Sequence, residues 1–142
     1  MVALLYFGLK FAAYCAWMYL GLRTINKDRN TTAFLAYGCG RLLLGIFFGA
    51  LIYFLSALLL SKFGYGFAQN LATYLAVYVP VRWVEWSIFA ALISHISFAE
   101  FVVGASKPDR LWRIGGIVIS CLADIPLIIS FGGVIPTGRF LC

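Results

Sequence analysis

Charge is the first thing this sequence has little of. Only 11% of its 142 residues are Asp, Glu, Lys or Arg, against about 25% in a soluble domain. A chain so poor in charge has little with which to cover a water-facing surface, and the expected class is integral membrane protein. Histidine is nearly absent as well. With one His in the chain, a haem held between two of its own histidines is excluded and no Cys/His spacing suits a metal. No metal and no cofactor is expected, although a group shared at a subunit interface stays open. The cysteines, Cys15, Cys39, Cys121 and Cys142, form no C-x-x-C pair. A prenylation box needs its Cys four residues from the end, and Cys142 is the last residue. Cys15 and Cys121 read as small apolar residues within spans. There is no run rich in Lys and Arg, so the net charge of +6 does not point to nucleic acid as a partner. The opening, MVALLYFGL, lacks the basic head and small-residue cleavage site of a secretory leader and reads as a retained span.

What fills the chain is apolar: 63% hydrophobic and 18% aromatic, with a mean hydropathy of +0.97. Four stretches reach the roughly 20 residues that cross a bilayer: residues 2–22, 34–60, 71–98 and 112–135. Lipid offers backbone groups no water, so these are expected to be helices; the short alternating segments of a β-barrel are missing. The expected fold is all-α, a single polytopic transmembrane domain over 1–142 with four helices in a compact bundle. The loops give an orientation. The first holds Arg23, Lys27 and Arg29, and the third Lys107, Arg110 and Arg113. The second has only Lys62 and the tail only Arg139. Lys and Arg gather on the cytoplasmic side, which puts both termini outside, in a bacterial-type inner membrane. Thr31 or Thr32 is a candidate cap for the second helix.

Charges within the spans are the candidate site, because each costs several kcal/mol at membrane depth unless it finds a partner. They are Lys10, Arg82, Glu85 and Asp124. Counted at about 1.5 Å per residue, all four fall in the outer half or near the midplane, which suggests one neutral quartet across three helices. Helical stripes support it: Tyr6, Lys10 and Tyr14 on span one; Tyr74, Tyr78, Arg82 and Trp86, with Glu85 beside them, on span three; Ser120 and Asp124 on span four. Arg82 and Glu85, three apart, can pair on their own helix. Pro80 and Pro126 stand close to charges and remove backbone donors there. On span two, Gly38, Gly45, Gly49 and Ser56 form a stripe of small residues that lets another helix approach closely. Arg41 lies on the same stripe near the inner end, placed to reach the head groups.

The run Pro80 to Leu92, with RWVEWS in it, resembles the third helix of microbial rhodopsins and heliorhodopsins. There an Arg, an acid three residues on and an aromatic surround a retinal Schiff base; LAD at Asp124 echoes the fourth helix. Those families have seven helices and carry retinal on a lysine of the last one. This chain has four candidate spans and its Lys10 lies in the first, so the resemblance is read as convergence on an Arg–acid pair.

Functionally, the leading expectation is a protein that acts by assembly, as a homo-oligomer or as an accessory subunit of a larger membrane complex. The alternative is a small proton, ion or solute transporter or channel working through the charge cluster. An intramembrane lipid-modifying enzyme is third. The enzyme reading is weakened because Ser94 and His95, as i, i+1 neighbours, point apart and no nucleophile–base set is visible.

Overall fold

The computed structural model describes residues 2–25, 33–63 and 67–130, the side chains of 2–4, 63, 67–70, 74 and 126–130 excepted. Its regular structure, among these residues, is all helix: α1 Val2–Thr24, α2 Phe34–Phe63, α3 Phe67–Ser94, α4 Phe98–Val103 and α5 Lys107–Ser130. Two stretches, Phe34–Lys62 and Leu71–Ser94, are long and apolar enough to cross a bilayer, with mean hydropathies of 2.5 and 1.4. Thr31, Thr32 and the tail of the fourth expected span lie outside the described residues, as do the side chains of Tyr74 and Pro126.

The long helices form a ring in the order α1, α2, α3, α5, each antiparallel to its neighbours, with α4 laid against α3. Across the ring, α1 and α3 meet through Tyr14 and Trp86, whose rings are edge to face at 6.1 Å. The core builds outward from there: Tyr14, Met18 and Leu22 from α1, Trp86, Phe89, Ala90 and Ile93 from α3, and Trp112 from α5. A smaller cluster of Ile52, Val77 and Tyr78 closes the other end.

Glycine and tryptophan set how closely the helices approach. A Cβ on Gly116 would run into the Trp86 ring, one on Gly115 into Trp17 and one on Gly21 into Trp112. The indoles so seated make a reciprocal bond between α1 and α5. Trp17 Nε1 donates to the Trp112 carbonyl and Trp112 Nε1 to the Trp17 carbonyl, each at 3.0 Å. The small-residue stripe of α2 faces inward: Gly38, Gly45, Gly49 and Ser56 are all buried, and Gly38 lies against Cys15 of α1.

The third expected span, 71–98, does not run through as one helix. It stops at Ser94, where His95 takes the left-handed backbone (φ 49°). Ser97 then starts α4 with a capping box. Its backbone N–H donates to the Glu100 carboxylate at 2.8 Å, and the Glu100 N–H donates to its hydroxyl at 3.4 Å. Gly104, at φ 93°, ends that short helix. The fourth expected span begins earlier than residue 112. Ser106 accepts from the Asp109 N–H at 3.3 Å, and Pro108 occupies the first turn of α5, where its missing donor costs nothing.

Candidate functional site

Helix geometry turns the expected charges inward, and it sorts them into two centres rather than one quartet. In the first, Lys10 of α1 meets Asp124 of α5 at 2.6 Å. Tyr6, one turn before Lys10, accepts from its ammonium at 2.6 Å and donates to the same carboxylate at 2.5 Å. Tyr78 of α3 donates to the other carboxylate oxygen at 3.2 Å. Three helices therefore converge on Asp124, and the salt bridge is almost wholly buried, as such a pair must be to offset the loss of hydration.

The second centre joins α2 to α3. Glu85 Oε2 accepts from Arg82 Nη1, three residues back on its own helix, and from Arg41 Nη2 of α2, both at 2.5 Å. All three side chains are fully enclosed. Arg41 is thus not at the head groups. Its place on the glycine stripe carries it into the bundle, where Glu85 replaces the lipid phosphate as its partner. The centre holds two guanidiniums against one carboxylate, a surplus of one positive charge. Aromatic faces meet part of that surplus: the Arg41 guanidinium carbon is 4.8 Å from the Tyr14 ring centre and 5.0 Å from that of Trp86, and Arg82 is 4.8 Å from Tyr78. Tyr78 links the two centres, with its hydroxyl on Asp124 and its ring under Arg82.

Several polar atoms here have no partner among the described residues: Arg41 Nε and Nη1, Glu85 Oε1, the Tyr14 hydroxyl and Trp86 Nε1. A space of about 10 Å³ lies between Lys10, Tyr14 and Gly45, enough for about one water. The Ser56 hydroxyl on α2 is likewise buried and unpartnered. Ser120 does not join either centre; its hydroxyl donates back to the Gly116 carbonyl at 2.8 Å. Ser94 also bonds its own helix, at the Ala90 carbonyl, while His95 is exposed. Among the described residues no group of three His, Cys, Asp or Glu comes together as a metal site would require.

A third buried pair escaped the sequence reading, which placed Arg113 in an inner loop. Arg113 and Asp109, one turn apart on α5, are both buried. Arg113 Nε and Nη2 bond the two Asp109 oxygens at 2.9 and 2.7 Å in a forked pair. Its Nη1 reaches the Ser87 hydroxyl and the Phe101 carbonyl, each at 2.7 Å, and Nη2 the Glu100 carbonyl at 3.1 Å. Trp83 donates to the next carbonyl, Val102, at 2.9 Å. The carbonyl end of α4 is thereby closed by a cation and an indole, as a helix C-terminus favours. The signal was present in the Asp109-x-x-x-Arg113 spacing.

No protein-family model matches this chain, and no curated protein or solved structure matches it either.

Proposed function

We propose that the chain is a four-span inner-membrane protein, with both termini outside, that acts by assembly with further membrane chains or with its own copies. The carrying observation is where charge goes. Lys10 and Asp124, which would be exposed charges on α1 and α5 taken singly, neutralise each other inside the ring, and Arg41 and Arg82 share Glu85. The outward surfaces are apolar: Leu9 on α1, Leu43 and Phe47 on α2, Leu92 on α3 and Leu122 on α5 are all exposed. On this reading the buried centres fix helix order and the outer faces meet lipid or partner helices. Arg41→Met, Arg82→Met and Glu85→Leu, made together, should leave thermal unfolding in mild detergent unchanged or raised, as when a buried ion cluster is replaced by packed apolar groups. The same species should still co-purify. Loss of the assembled species with the fold retained overturns the proposal.

One observation favours a second reading, a small proton or ion transporter. The Glu85 Oε1, Arg41 and Tyr14 groups that have no partner among the described residues, with a water-sized space between Tyr14 and Lys10, are what a polar path through a bundle would use. Flux into liposomes carrying the purified protein, abolished by Asp124→Asn with the fold intact, would establish it. Absence of flux for protons and common ions would rule against it.

A further inference from the structure

The seam between α1 and α5 is grooved on its outer side. Two clefts share Trp17. The larger, of about 330 Å³, is lined by Ala13, Ala16 and Ala123 among others. The other, of about 280 Å³, runs past Leu20, Thr24, Pro108 and Leu111. Alanines opposite one another leave the gap, and Trp17, drawn inward to bond Trp112, forms its waist. From Thr24 to Leu9 the groove extends about 22 Å at 1.5 Å per residue, close to the roughly 20–22 Å of one leaflet counted with its head-group region. Its mouth is basic. Arg23 stands one turn beyond the groove residue Leu20 and Lys107 one turn before Leu111, and both are exposed. Asp109, the acid nearest them on α5, is buried and taken by Arg113.

We infer that this groove seats one acyl chain of an anionic phospholipid, whose phosphate lies at Arg23 and Lys107. The inference rests on the membrane reading above. Charge complementarity selects the occupant: an apolar slot of one-leaflet length ends beside two exposed cations that have no acidic partner among the described residues, where a zwitterionic lipid or an uncharged helix end leaves them unmatched. The groove faces lipid, so occupancy needs no opening of the bundle.

The test uses the full chain in nanodiscs made of equal parts dioleoyl phosphatidylglycerol and dioleoyl phosphatidylcholine, whose acyl chains are identical. Lipid retained on release is read by native mass spectrometry. Phosphatidylglycerol adducts should exceed phosphatidylcholine adducts about thirtyfold, in line with two juxtamembrane cations. Arg23→Gln with Lys107→Gln should bring the ratio near one, and Ala13→Leu with Ala16→Leu should reduce retention of both lipids. Equal retention by the wild type, a preference undiminished in the charge variant, or a polypeptide held in the groove in place of lipid overturns the inference. Carbonate extraction separates the two levels. Protein that washes out of membranes refutes the membrane reading, whereas protein that stays but shows no lipid preference refutes only the lipid site.

Discussion

Arg113 and Arg41 are equally buried and differently provided for. Around Arg113 the donors are matched: a carboxylate one turn away takes a fork, a serine of α3 takes a third contact, and the spent end of α4 takes the rest. Around Arg41 one nitrogen meets a carboxylate already shared with Arg82, and Nε and Nη1 face aromatic rings or nothing polar among the described residues. The first arrangement is local in sequence and has one geometry. The second needs three helices, carries surplus charge and leaves acceptor and donor atoms over. Burial alone therefore does not tell what a buried charge is for; the count of unsatisfied groups around it does. The Arg113 centre has the form of a structural lock, and the Arg41 centre the form of a place where packing was not driven to completion.

The largest expected effect comes from breaking the complete centre. Arg113→Ala leaves the buried Asp109 carboxyl without its cation, keeping the Ala105 N–H as a donor at 2.8 Å, and uncaps α4, at a cost of about 3–5 kcal/mol. Thermal unfolding in mild detergent should register it, with α4 becoming open to limited proteolysis. Arg41→Met should cost less, about 1–3 kcal/mol, because Glu85 keeps Arg82 and the surplus charge disappears. Equal losses for the two variants would break the comparison. The smallest effect concerns the start of α4. Hydrogen bonds from the Ser97 backbone and hydroxyl hold the Glu100 carboxyl below its ordinary range. A depressed carboxyl stabilises the cap fully above the ordinary glutamate value of about 4.3, and that contribution fades as pH falls through the lower, folded value. The Ser97 amide resonance should titrate below that range and lose its titration in Glu100→Gln, while signals from Arg113 stay put. Movement of both together would mean that the two ends of α4 are not independent.

Much of this was legible in the chain. Apolar length located the long helices, and period placed Tyr6 and Lys10 on one face and Tyr78 and Arg82 on another. What misled was treating equal depth as contact. Lys10 and Asp124 do meet, and Arg82 and Glu85 do meet, but the first pair joins α1 to α5 and the second meets Arg41 of α2, with Tyr78 touching both. Depth is a one-dimensional coordinate; which helices are neighbours is not written in it. Arg41 was misplaced for a related reason. Its distance from the helix end suggested snorkelling, whereas its membership of the Gly38–Gly45 stripe fixed the direction it faces. The stop at His95 had a sequence signal in Ser97-x-x-Glu100, a capping box, hidden by the apolar residues on either side.

The paired indoles of Trp17 and Trp112 restrict how the bundle can move. Each donates to the other's carbonyl across the same seam, so the two bonds oppose sliding in both directions. A slip of one residue, about 1.5 Å, would sever both at once. Gly21 and Gly115, pressed against those rings, leave no room for rotation by bulkier side chains. In mechanical terms the two bonds pin α1 to α5 at this level, so a rearrangement that keeps them falls to α2 and α3. That is the side on which Arg41, with its spare donors, sits.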